Sequence, residues 1–259
     1  DVYFVWFEHV FIVRIFLIFA TPHVNYRSRT SILCYNHIMS KRYIEVGAIC
    51  HVYNRGVEKR SVFSHGKDYL RFIHGLFEFN DETPTCNTLY YLEQTKNIEV
   101  GLRYSGVDSR IPLVEILAFV LMPNHFHLML RQIREGGVTE FMRKVGTGYT
   151  NYFNKKYDRV GPLFQGKYKS VTLVSESHFI NLPYYIHSNP LDLLLAQRKG
   201  GASPKERLEL LASYKWSSFS DYIGNQNFPS VTQRDFLLDL FGGERRHKKD
   251  FQEWLTARE

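Results

Sequence analysis

The run LMPNHFHLML, Leu121 to Leu130, sets His125 and His127 two residues apart inside an otherwise apolar stretch. Neutral imidazoles are metal ligands, and His-x-His is a common ligand spacing. Alternate side chains of a β-strand point to opposite faces, so the two histidines emerge together while Phe126 and Leu128 turn into a core. The same pair on a half-exposed strand can also be merely solvated or bonded to backbone, so a third group has to meet it. Tyr185 and Asn189 are four residues apart in a stretch with helical character, which puts them on one helix face. A helix that turned this face to the sheet would bring both residues to the histidines.

The elements that must position these residues are legible from periodicity. AICHVYNRG (48–56) reads as a strand closing on a glycine turn, and KDYLRFIHGLFEFN (67–80) as a helix with Leu70, Ile73 and Phe77 at helical spacing. VEILAFVLM (114–122) and the histidine run form a hairpin about Met122-Pro123-Asn124. VTEFMRKVGTGYTNYFNKKY (138–157) is an amphipathic helix despite Gly146 and Gly148, GPLFQGKYKSVTLV (161–174) a last strand, and SESHFINLPYYIHSNP (175–190) a helix with a serine cap and a terminating proline. The order βαββαβ predicts an α+β fold: a ferredoxin-like or RRM-like antiparallel sheet with helices on one face, the other left free, plus a helical C-terminal extension. Residues 39–195 are read as the main domain, with 81–112 an insertion, and 196–259 as the extension.

The 259 residues are 44% hydrophobic and 23% charged, ordinary for a globular chain, and the excess of Lys+Arg over Asp+Glu, 33 to 26, favours a polyanionic partner. Cys34, Cys50 and Cys86 form no CxxC pair, which argues against a disulfide framework or a cysteine zinc site and fits a reducing cytoplasm. The apolar start DVYFVWFEHVFIVRIFLIFA is interrupted by Glu8, His9 and Arg14. Residues 1–38 are therefore read as an upstream or unstructured extension, with a membrane anchor the weaker alternative.

Four ordered motifs, YNRG (53–56), MPNHFHLML (122–130), GPLFQGKYKS (161–170) and YIHSNP (185–190), resemble the single-tyrosine HUH transposases that act on single-stranded DNA, the REP-associated tyrosine transposases above all. YKWSSFSDYIG (214–224) is similar to that family's tail. The resemblance implies a DNA nickase and strand transferase in which His125, His127 and Asn189 hold Mg2+ or Mn2+ and Tyr185 is the nucleophile. A phenol ionises only near pH 10, so such a role calls for a cation beside the phosphate. Two imidazoles taken alone favour zinc or a late transition metal, since magnesium prefers oxygen ligands. The expected partners are single-stranded or hairpin DNA, with a homodimer as an option and no membrane. Arg55, Lys59, Arg143, Lys144, Lys167 and Lys169 are candidate phosphate contacts, and Asn54 and Gln165 candidate base contacts.

Tyr149, Tyr152 and Tyr184 are rival nucleophiles by residue type, and Pro183 threatens the helix that carries Tyr185. Two other functions stay open on sequence: a hairpin-binding module that does not cleave, and a hydrolase that activates water with His125 and His127.

Overall fold

The computed structural model of the chain describes residues 44–82, 110–198 and 201–257. The expected upstream segment, 1–38, and nearly all of the expected insertion at 81–112 lie outside these residues.

Among the described residues the sheet has four strands: β1 (Ile49–Arg55), β2 (Val114–Met122), β3 (His125–Gln132) and β4 (Lys169–Thr172). Their order is β2-β3-β1-β4, and every neighbouring pair is antiparallel. Helix α1 (Gly66–Glu78) follows β1, and α2 (Gly137–Lys156) follows β3, giving the βαββαβ succession that the periodicity predicts. Both lie on one face, where Phe72, Ile73, Leu76, Phe141, Val145 and Tyr149 share a core with Cys50, Val52, Phe126, Leu128 and Leu130. Gly148 is explained by contact, because a Cβ there would come within 2.5 Å of the Phe79 ring.

The last strand is shorter than expected. Gly161 (φ +88°), Pro162 and Gly166 (φ +151°) interrupt extended pairing, so 161–168 is a loop and ladder pairing to β1 covers Lys169–Thr172 only.

The second face is open only in part, where the sequence pattern had left it free. Helix α3 (Glu176–Ser188) crosses it and is followed by α4 (Leu191–Leu195), α5 (Pro204–Ser213), α6 (Phe219–Tyr222), α7 (Asp235–Phe241) and α8 (Glu244–Thr256). Leu182, Tyr184 and Ile186 of α3 enter a second core with Val120, Met122 and Met129 from the sheet and Phe219, Phe241 and Phe251 from the C-terminal helices. This resolves the effect of Pro183. An interior proline costs about 3 kcal/mol, while burial of each large apolar side chain returns about 1.5–3 kcal/mol, and α3 buries three. The helix runs through it.

The outer edge of β2 is also covered. Leu121 N donates to Trp216 O at 2.9 Å, Phe119 N to Ser218 Oγ at 2.9 Å, and Ile116 N to Gln233 Oε1 at 2.8 Å. The hydroxyls of Tyr214 and Tyr222 donate to the carbonyls of Leu121 and Leu117. The C-terminal segment, mostly through the connections between its helices, thus satisfies strand groups that an exposed edge would present to other chains.

Candidate metal and nucleophile site

Pairing register decides what shares the second face. Tyr53 stands opposite His127, Arg55 opposite His125, and His51 opposite Met129, while Lys169 of β4 pairs with Tyr53. Paired residues of antiparallel strands project to the same side. One face of the sheet therefore gathers His51, Tyr53, Arg55, His125, His127 and Lys169. His51 and Tyr53 are a second alternating pair, His-x-Tyr, that inspection of the sequence did not single out.

Helix α3 completes the arrangement. Its Ser175 cap accepts from His178 N, and four residues apart near its end Tyr185 and Asn189 look onto the histidines. Asn189 Oδ1 lies 3.1 Å from His125 Nε2. The Tyr185 ring stands edge-on to His127 and His51, with centroids 5.5 and 5.9 Å away, and is 40% exposed. Its neighbour Tyr184 is 5% exposed, turned into the second core against Phe241, His247 and Phe251.

Hydrogen bonding fixes both imidazoles. His125 Nδ1 is 2.6 Å from Asn124 Oδ1, and the Asn124 amide is oriented by its other contact, Nδ2 donating to Lys59 O at 3.2 Å. His127 Nδ1 is 2.8 Å from His51 Nε2. Burial lowers the pKa of His127 to about 3, with His51 and His125 adding to the effect, and lowers that of His51 to about 4. His125 is lowered as well, chiefly by burial, against the opposing pull of Asn189. All three rings are neutral near pH 7.

This neutrality tests the fit of a cation. A neutral His125 that gives its one N–H to Asn124 Oδ1 turns a lone pair from Nε2 toward Asn189 Oδ1, itself an acceptor. Two acceptors facing across 3.1 Å suit a shared cation. Among the described residues no three His, Cys, Asp or Glu side chains are arranged to hold a metal ion, so a site here depends on two imidazoles and the carboxamide.

The cleft beside the histidines is lined by Tyr53, Asn54, Arg55, Gln165, Gly166, Lys167 and Lys169. The loop 161–168 is fastened to β1 by Gln165 N donating to Arg55 O at 2.9 Å and Asn54 Nδ2 donating to Gly166 O at 3.0 Å. Gly56 follows β1 directly. A Cβ there would approach Arg60 O to 2.3 Å, and Gly56 N donates to Asn124 O at 2.9 Å, which ties the YNRG turn to the histidine hairpin.

The expected residues thus divide. His125, His127, Tyr185, Asn189, Asn54, Arg55, Gln165, Lys167 and Lys169 lie about one cleft, and Lys59 is tied to it through Asn124. Arg143 and Lys144 do not join them. They sit on α2, across the sheet, and Lys144 Nζ donates to Asp81 O at 2.5 Å and pairs with Glu140 at 3.5 Å. The rival tyrosines are engaged elsewhere: Tyr149 donates to Val62 O at 2.5 Å, and Tyr152 to Asp68 Oδ1 at 3.0 Å.

No curated protein matches the chain. A solved structure, that of a REP-associated tyrosine transposase bound to a REP hairpin, is similar at 13% identity and a TM-score of 0.42, over 74% of this chain and 87% of that one. Residues 110–189 match the family described as "Transposase IS200 like". The matched stretch, 110 to 189, is the one that carries His125, His127, Tyr185 and Asn189, and over it the chain is similar to the IS200-like transposases.

Proposed function

We propose that the chain is a DNA transposase that cleaves and rejoins single-stranded DNA through Tyr185, at hairpin sequences of the kind implied by its four-motif resemblance to the REP-associated enzymes. The observation that carries this reading is the convergence on one face of an exposed phenol and three metal-capable groups, beside a basic cleft.

His125, His127 and Asn189 would hold a divalent cation, Mg2+ or Mn2+, which when bound polarises the scissile phosphate and offsets its charge. Arg55, Lys167 and Lys169 bind and orient the backbone phosphates along the cleft. The Tyr185 oxygen attacks phosphorus. An O–P bond to the tyrosine forms, the P–O3′ bond breaks, the phenol proton is lost and the departing 3′ oxygen is protonated. The products are a 5′-phosphotyrosine and a free 3′-OH. One phosphodiester is exchanged for another, so the reverse attack by a 3′-OH rejoins DNA without ATP.

The test is incubation with a labelled hairpin oligonucleotide and Mn2+, followed by denaturing electrophoresis. A labelled protein band that disappears in Tyr185→Phe supports the reading. Tight binding with no adduct and no nick favours the non-cleaving module, and nicking that persists in Tyr185→Phe favours metal-activated water.

A further inference from the structure

We propose that His51 is the positioning residue of this site: its Nε2 accepts the Nδ1–H of His127, leaving the Nε2 lone pair of His127 bare to meet a divalent cation. The inference rests on the metal reading above for its purpose, but its structural content is a statement about which nitrogen of His127 carries the proton.

Three observations carry it. The first is distance and register. His51 lies on β1 opposite Met129, one diagonal step from His127, and side chains of this length meet across that diagonal. The rings meet edge to edge, with centroids 5.0 Å apart, 25° between planes, and Nε2 and Nδ1 2.8 Å apart. The second is the parallel with His125. There both ring nitrogens face carboxamide oxygens, Nδ1 at 2.6 Å from Asn124 Oδ1 and Nε2 at 3.1 Å from Asn189 Oδ1, and the single N–H of the neutral ring belongs with the shorter contact, which leaves the Nε2 lone pair toward Asn189. With His51 as the acceptor for His127, both histidines have the same tautomer and offer the same nitrogen. A metal-ligating histidine characteristically gives its other N–H to such an outer partner, which fixes ring orientation and raises the basicity of the ligating nitrogen.

The third concerns what His51 does not do. Its Nε2 is committed to His127, and no three-histidine cluster arranged for a metal exists among the described residues. His51 therefore acts through His127. It also touches the Tyr185 ring edge-on at 5.9 Å, so one side chain on β1 sets both a ligand and the seat of the proposed nucleophile.

The experiment uses the full chain, with Mn2+ alone as the probe. In the metal-free protein, long-range 1H–15N correlation spectra of imidazole-labelled histidine should show His127 protonated on Nδ1 and bare on Nε2. His51→Phe keeps a ring but removes the acceptor. It should mix the His127 tautomers and weaken Mn2+ binding, read by electron paramagnetic resonance, about 10- to 100-fold. His51→Gln restores an acceptor oxygen near the Nε2 position and should hold Mn2+ affinity to within about threefold and keep the Nδ1–H tautomer. A wild-type His127 protonated on Nε2 overturns the proposal. So does loss of all Mn2+ binding in His51→Phe, as in His127→Ala, because that would make His51 a ligand. If His51→Phe does not fold, the wild-type spectrum and His51→Gln decide. If the wild type binds no Mn2+, the metal reading falls, while the tautomer still decides the role of His51.

Discussion

Asn189 Oδ1 stands 3.1 Å from His125 Nε2, joining the end of α3 to the first residue of β3. With His125 protonated on Nδ1, the contact brings two lone-pair bearers together, and a cation between them satisfies both. Asn189→Asp adds a formal charge without changing shape, so Mn2+ affinity should rise several-fold, and Asn189→Ala should lower it. Titration followed by electron paramagnetic resonance measures both. Equal affinity in all three proteins would remove Asn189 from the ligand set.

Tyr184 and Tyr185 are adjacent yet serve opposite surroundings. Tyr185→Phe removes one hydroxyl from a partly exposed ring, so its stability should change by no more than about 0.5 kcal/mol while adduct formation is lost. Tyr184→Ala empties a packed aromatic site and should cost about 3 kcal/mol or more. Tyr184→Phe should retain the adduct. Denaturant melts and adduct assays together separate the two roles, and an adduct in Tyr185→Phe that vanishes in Tyr184→Phe would reverse them.

Binding of a hairpin oligonucleotide should weaken steeply with salt. Each of Arg55→Ala, Lys167→Ala and Lys169→Ala should flatten the slope of log K against log salt by about 0.7 if that side chain meets a single-stranded phosphate. Arg143→Ala and Lys144→Ala, across the sheet, should leave the slope unchanged. Fluorescence anisotropy at four salt concentrations suffices, and the reverse pattern would move the DNA path to α2.

Acid should destabilise the second core. His247 is fully buried among Tyr184, Tyr222, Phe241 and His187, and among the described residues neither of its ring nitrogens has a hydrogen-bond partner. Burial lowers its pKa from about 6.5 to about 4. The unfolded chain then takes up a proton that the folded chain refuses. The stabilisation is complete above pH 6.5 and falls as pH drops from 6.5 toward 4, by on the order of 3 kcal/mol from this residue. His247→Phe should retain more of its pH 7.5 melting temperature at pH 5 than the wild type does. Identical acid profiles would show that this imidazole is not what limits acid stability.

Local periodicity reached much of this structure. Alternation placed His125 and His127 on one side of β3, and four-residue spacing put Tyr185 and Asn189 on one side of α3. The role of His51 was not legible, because strand register between residues 76 apart in sequence is fixed by the whole sheet and by no local pattern. That Arg143 and Lys144 lie across the sheet from the cleft was hidden for a similar reason. A basic residue on an amphipathic helix reveals which side of the helix is wet, whereas the face of the sheet that the helix covers follows from topology. The sealing of β2 by Trp216, Ser218 and Gln233 was equally hidden, since those contacts join segments about a hundred residues apart.

The rooting of α3 by Tyr184 in the chain's own C-terminal core has a consequence for stoichiometry. The helix that bears Tyr185 is held by Phe241 and Phe251 of the same polypeptide, and the histidines it faces belong to that polypeptide too. Under the proposed function, one polypeptide then carries every group the reaction calls for, with Tyr185 working beside the histidines of its own sheet. Mixing the Tyr185→Phe protein with the His127→Ala protein should accordingly restore no cleavage, however tightly the two copies meet.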